Sequence, residues 1–243
     1  MKNFTIVILL LISTKLSAQT ATEGAVTVEK KSFRIESITF LNFDHLSKQR
    51  QWDLNELFRL GLSKRIELRL ANNYLVNRNF NNTENENVSG FGDINAGYKV
   101  QLYRSKTSGK FDFAFMGTYS FPTGGDEFST NSFFSNHLFL FSNAINDNMG
   151  IEYNIGYQNG DDRGDVIYTF SFGSTIIKDF GGFIEYYGSL VNLNRAEHNI
   201  DFGFNYSIKD NFQVDATFGL PLVKKPANSY VSVGIYYQFG KSQ

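Results

Sequence analysis

The residues with most chemical potential are charged side chains set two apart in stretches of apolar and small residues. Arg34 and Glu36, Arg59, Glu67 and Arg69, and Lys99 come first in the chain; Asp112, Glu152, Glu185, Asp201 and Asp215 follow. A spacing of two puts side chains on one face of a strand, so the first group would form a mixed wall and the second an acidic one. Such walls can orient or select a charged solute along a wet path. They can equally pair across a narrow interior and close it. Both readings stand at this level.

Other constellations are weaker. His45, His137 and His198 fall on different segments with no two at ligand spacing, and a hydrolytic role would need a Ser or Asn brought close to one of them by the fold. Gly90-Phe91-Gly92-Asp93 has the look of a phosphate loop, but no helix follows to present its N-terminus to an anion; it reads as a turn entering a strand. Glu84, Glu86, Asp126 and Glu127 offer hard oxygen ligands at no calcium-loop spacing, and they read as solvated loop. Asn87-Val88-Ser89 completes a glycosylation pattern but reads as polar loop. Cysteine is absent, which removes disulfides, thiol chemistry and Cys-type metal sites. The expectation is a non-enzyme with no catalytic residue, metal or cofactor. A net charge of −1 argues against nucleic acid as a partner.

The elements that position these charges follow from the composition, 25 Phe, 13 Tyr and 21 Gly against 3 Pro, which suits pleated strands and leaves their ladder donors intact. Alternation dominates from residue 33 onward. In the last segment Val231, Val233, Ile235, Tyr237 and Phe239 interleave with Ser232, Gly234, Tyr236 and Gln238. Segments of this kind are expected at 33–43, 54–62, 66–76, 92–103, 111–121, 132–143, 149–158, 166–177, 182–191, 198–208, 212–221 and 229–239. Most have the length a tilted strand needs to cross a hydrocarbon layer. The segment 132–143 breaks the alternation with Phe133, Phe134, Leu138, Phe139, Leu140 and Phe141, which leaves its facing ambiguous.

Connections decide between a soluble and a membrane barrel. Short turns at Ser63-Lys64, Asn146-Asp147-Asn148, Lys178-Asp179 and Lys209-Asp210-Asn211 alternate with polar stretches at 44–53, 79–91, 122–131, 159–165, 192–197 and 222–228. The connection at 104–110 is longer than its class predicts. The opposite face of the strands carries Gly, Ser, Thr, Asn and charges, not the bulky groups that fill small soluble barrels. The expected fold is therefore all-β: a transmembrane antiparallel up-and-down β-barrel of about twelve strands. Ahead of it, Lys2, the apolar run Phe4 to Ile12 and Leu16-Ser17-Ala18 read as a signal peptide over 1–18, with the mature barrel domain over 19–243. The leader implies export, and with the barrel the expected location is the bacterial outer membrane.

Several segments in order resemble the family of outer-membrane transporters named for the meta-pathway of phenol degradation. They are Phe58-Arg59-Leu60-Gly61-Leu62-Ser63-Lys64-Arg65-Ile66-Glu67-Leu68-Arg69, Gly90-Phe91-Gly92-Asp93-Ile94 and Phe121-Pro122-Thr123-Gly124, with the strand-turn pattern at Lys178-Asp179 and Lys209-Asp210-Asn211. The resemblance spans roughly residues 30 to 239 and implies a barrel with a transport role, with no catalytic residues. The expected function is a passive channel for a small solute, hydrophobic ones included. The alternative is a non-conducting barrel that acts through its extracellular loops. Expected partners are outer-membrane lipid, the barrel assembly machinery and a small-molecule solute.

Overall fold

The computed structural model describes residues 21–44, 50–78, 87–106, 110–160, 163–223 and 228–240. Alternating sequence becomes strand throughout. The strands are β1 (Phe33–Asp44), β2 (Arg50–Gly61), β3 (Ile66–Arg78), β4 (Asn87–Phe91), β5 (Ile94–Arg104), β6 (Asp112–Phe121) and β7 (Phe134–Ala144). They continue with β8 (Met149–Gly160), β9 (Arg163–Ile177), β10 (Phe180–Val191), β11 (Arg195–Lys209), β12 (Phe212–Pro221) and β13 (Asn228–Phe239). No helix among the described residues is long and apolar enough to cross a membrane.

Sequential neighbours pair antiparallel, β4 and β5 excepted, and β1 pairs with β13 from Phe33↔Phe239 to Asp44↔Asn228, so the sheet closes on itself. β4 and β5 both pair with β3, over Tyr74–Arg78 and Ile66–Ala71 respectively, and form one stave broken at Gly92-Asp93. The result is a closed barrel of twelve staves. Closure removes the exposed edges that an open sheet would present to lipid.

Register fixes the faces. The outer face carries Leu68, Leu70, Phe139, Ile155, Phe170, Phe202, Val233 and Ile235, all exposed, while Glu67, Lys99, Glu185 and Asp201 point inward and are fully buried. Large apolar groups outside and buried charges inside invert the pattern of a soluble protein, as lipid as solvent requires. The ambiguous segment resolves here. Leu138 and Leu140 face inward and pack with Ala114, Met116 and Ala25, whereas Phe139 and Phe141 face outward. Alternation breaks because this part of the inner wall covers an apolar residue of the N-terminal segment.

Two boundaries differ from expectation. β2 begins at Arg50, four residues before the segment read as 54–62, and residues 87–91, read as loop, form β4. On the same rim β8 and β9 run through Gly160 and Arg163, and β10 and β11 join through Asn192-Leu193-Asn194 alone, so the described part of 159–165 and half of 192–197 are strand. Sequence polarity could not separate loop from strand extending beyond the apolar band. One rim thus carries the turns after β2, β7, β9 and β11, and the other carries the connections after β1, β3, β6 and β12. They are called the turn rim and the loop rim below.

Candidate functional site

The barrel interior is built around a segment that belongs to none of its strands. Residues 21–32 enter at the turn rim and run up through the interior. Lys31 N–H donates to the Gly61 carbonyl at 2.8 Å and Gly61 N–H to the Ser32 carbonyl at 3.0 Å. A Cβ on Gly61 would lie 1.9 Å from the Glu29 carbonyl oxygen, so only glycine permits this approach. Higher up, Val28 N–H donates to Glu67 Oε2 at 2.7 Å and Ala25 N–H to Ser142 Oγ at 2.9 Å. Asn154 meets the Glu23 backbone twice, accepting from its N–H at 2.8 Å and donating to its carbonyl at 2.8 Å. Ala21 and Thr22 N–H each donate to the Glu185 carboxylate at 3.1 Å. The barrel's inner polar groups thereby serve as partners for a backbone that has no sheet neighbour.

Glu23 is the centre of the charge arrangement. Its carboxylate contacts Arg59 at 3.3 Å, Arg69 at 2.9 Å and the Lys99 ammonium, while Lys99 also donates to the Gly24 carbonyl at 2.8 Å. Arg59 is held in turn by Glu36 at 2.8 Å and Glu67 at 2.7 Å, and Arg69 by Glu67 at 2.9 Å. Arg34 lies 3.7 Å from Glu36 and donates to Gln238 Oε1. Every basic group of the mixed wall is therefore compensated, and the element that completes the compensation is the N-terminal segment. Glu23 was not singled out by strand periodicity because it lies outside any strand. Its only signal was a lone carboxylate in the small-residue stretch from Ala21 to Val28.

The acidic group divides. Glu185 and Asp201 are directly opposed across β10 and β11. Glu152 accepts from Ser142 Oγ at 2.8 Å beside Gly24, and Asp215 sits against Gly234. Asp112 accepts from Ser105 N–H at 3.1 Å and so fastens a turn. These five positions share the inner face without forming one cluster.

Beside Ala21 lies a cavity of about 270 Å³ lined, among the described residues, by Ala21, Phe40, Asn42, Asp53, Asn55, Tyr187 and Tyr230. Tyr230 donates to Asp201 Oδ2 at 2.5 Å, and Asn73 Nδ2 to Asp53 Oδ1 at 3.2 Å. Sequence reading missed this set because β2 was begun too late to include Asp53, and because the two tyrosines look like ordinary strand aromatics.

At the loop rim, Asp93 accepts from the N–H groups of Thr123 (3.0 Å), Gly124 (2.9 Å) and Thr130 (2.9 Å) and from Thr130 Oγ1 (2.7 Å). Burial pushes its carboxyl up, but the bonds from Thr130 and Gly124 outweigh it and hold the group down at about 2. The two short glycine-containing motifs at 90–94 and 121–124 are thus a latch between the broken stave and the β6–β7 loop. A further unexpected carboxylate, Glu56, points outward at mid-strand, accepting from Ser37 Oγ at 2.6 Å.

The histidines do not meet. His198 Nδ1 lies 2.7 Å from both Tyr168 Oη and Tyr186 Oη on the outer face, and His137 stacks on Phe115. His45, Glu84 and Glu86 lie outside the described residues, as do the signal-peptide residues, and Asp126 and Glu127 are exposed. Among the described residues no group of acids and histidines is placed to hold a metal.

A closed twelve-stave barrel with apolar staves outside and charges inside is the architecture of outer-membrane β-barrel proteins. The chain belongs to the family described as "Putative MetA-pathway of phenol degradation", whose model matches residues 16–239. The fold is similar to an outer-membrane channel from Pseudomonas putida F1, with TM-score 0.67 and 9% identity over 91% of this chain and 100% of that one. It is also similar to the KdgM porin, with TM-score 0.60 and 9% identity over 85% and 99%. The translocator domain of the autotransporter NalP from Neisseria meningitidis follows at TM-score 0.52 and 10% identity over 87% and 90%. No curated protein matches the sequence.

Proposed function

We propose that the protein is a passive channel of the bacterial outer membrane for a small solute, and that its N-terminal segment occupies and narrows the path. The observation that carries this reading is the Glu23 cluster. Its three cations come from β2, β3 and β5, while the segment's backbone is held by β7, β8 and β10 on other parts of the wall. A segment held mainly by charges and side-chain amides can leave without unfolding any strand, since its backbone bonds to a strand backbone are confined to Lys31 and Ser32 at the turn rim. In this reading the turn rim lies in the periplasm and the loop rim outside, as strand parity demands when both termini start from the periplasmic side. A cleaved leader over 1–18 and insertion by the assembly machinery belong to the same reading.

The alternative, a non-conducting barrel acting through its loops, draws support from the same segment, which fills the interior at the level of Glu23. Single-channel recording in a planar bilayer separates the two. The channel reading expects small steps for the unaltered protein and larger, steadier steps for Glu23→Ala, which releases the segment. Silence from both, with the barrel still folded by heat-modifiable mobility on gels, would favour the closed barrel.

A further inference from the structure

We propose that the outer wall formed by β1, β2 and β3 is a docking face for a second copy of this chain within the membrane. Glu56 is the one carboxylate at an outward position of the described strands. It shares its face with Leu54 and Leu60, both exposed. Register sets it in one row with Ser37 on β1 and Asn72 on β3. The row continues to Ile235 on β13, which has Val233 on one side and Tyr237 on the other, all three exposed. Glu56 therefore lies inside the apolar band and not at a rim. A carboxylate there carries a cost that lipid chains, which offer no donor, do not offset.

The donors and acceptors of the row say what fits it. Among the described residues Glu56 accepts from Ser37 Oγ at 2.6 Å, and a carboxylate has acceptor sites to spare on its two oxygens. Asn72 gives one Nδ2 hydrogen to the Gly92 carbonyl at 3.0 Å and keeps a second. Neighbouring strands lie about 4.8 Å apart, so an acceptor and a donor stand side by side at nearly the same height. A two-fold axis along the membrane normal, passing between β2 and β3, sets Glu56 of each copy against Asn72 of the other. Both copies keep one orientation in the membrane, and symmetry makes the two hydrogen bonds identical. Packed face to face at about 10 Å, the spacing of stacked sheets, the two walls bring these side chains within reach of each other. Leu54 and Tyr74 on one side of the row, with Phe58 and Leu70 on the other, supply an apolar surround. A foreign partner would need a donor at this height by coincidence, whereas a second copy carries one by construction.

The chain has no cysteine, so a single introduced thiol reports contact without background. Leu54→Cys places one beside the axis and Ile155→Cys places one on β8, both at exposed outward positions. In liposomes of the refolded full chain, mild oxidation is expected to cross-link Leu54→Cys as a dimer and to leave Ile155→Cys monomeric. Sedimentation equilibrium in detergent micelles then measures the association itself. Glu56→Leu and Asn72→Leu should each weaken it by about tenfold or more, the scale of two reciprocal hydrogen bonds in a membrane. Combining them should weaken it no further than either alone, because both remove the same pair of bonds. Monomers at every ratio of protein to detergent, equal cross-linking from residues 54 and 155, or an association unchanged by Glu56→Leu would overturn the proposal in favour of a foreign partner or bare lipid. Should Glu56→Leu fail to fold, the two cysteine variants and the unaltered chain still decide. Association is read without current, so it stands or falls apart from the channel reading.

Discussion

The two halves of the barrel interior use charge in opposite ways. Toward the turn rim, Arg59, Arg69 and Lys99 are matched by Glu23, Glu36 and Glu67, with side chains mostly withdrawn from solvent. Toward the loop rim, Asp53, Glu185 and Asp201 meet amides, backbone N–H groups and a phenol. Buried pairs are costly to break because the survivor is left uncompensated. Removing a carboxylate held by neutral donors strands no opposite charge. The same residue types therefore bind cations in one half and accept from neutral donors in the other, and what separates the two roles is the partner each carboxylate finds.

The comparison breaks first, and by the largest amount, if its two kinds of carboxylate respond alike to neutralisation. Glu67→Gln removes the counter-charge shared by Arg59 and Arg69 and weakens the acceptor of Val28 N–H, and it should cost about 3–5 kcal/mol in urea unfolding of the refolded protein. Asp201→Asn keeps an acceptor for Tyr230 and relieves the opposed Glu185, so its effect should stay within about 1 kcal/mol of zero. Equal losses would mean that the acidic pair is as structural as the mixed cluster.

A middle-sized effect sharpens the point that a loop-rim carboxylate can also be purely structural. The Asp93 carboxyl is held at about 2, below the ordinary aspartate value of about 3.9, so its contribution is fully present above about pH 4 and is lost as pH falls toward 2. Its worth is on the order of 2 kcal/mol. Asp93→Ala should make residues 124–130 protease-sensitive at neutral pH, while the unaltered protein acquires that sensitivity only as pH falls through 4 to 2. Protection unchanged in Asp93→Ala would show the latch to be held by something else.

Much of this was legible in the sequence. Period-two alternation carried the twelve staves because lipid outside and a polar interior impose opposite preferences on successive residues. The family-like motif at 58–69 pointed to the residues that matter, since Arg59, Gly61, Glu67 and Arg69 all hold the N-terminal segment. What those residues hold was not legible. Residues 21–30 make no ladder, so no periodicity marks them, and their docking depends on side chains from β2 to β10 brought together only by closure. Glu56 was overlooked for the converse reason: an outward charge violates the pattern by which outward positions are recognised.

The smallest expected effect concerns how the segment's backbone, as distinct from its charge, is fixed. Asn154 can receive the Glu23 N–H and return a bond to the Glu23 carbonyl only if its amide is oriented with the oxygen toward the N–H. Thr169 Oγ1 donates to that same oxygen at 3.0 Å and so sets the orientation. Thr169→Val removes this donor at nearly constant volume and should weaken docking by about 0.5–1.5 kcal/mol, the net worth of one neutral hydrogen bond. The readout is amide hydrogen exchange at Glu23 and Ala25, which should accelerate by roughly two- to tenfold while the β8 and β9 ladders keep their protection. If exchange at Glu23 is unchanged in Thr169→Val yet rises sharply in Glu67→Gln, the charge cluster alone positions the segment and the amide merely follows. If both rise, the turn-rim half fastens it through two independent devices, one ionic and one neutral.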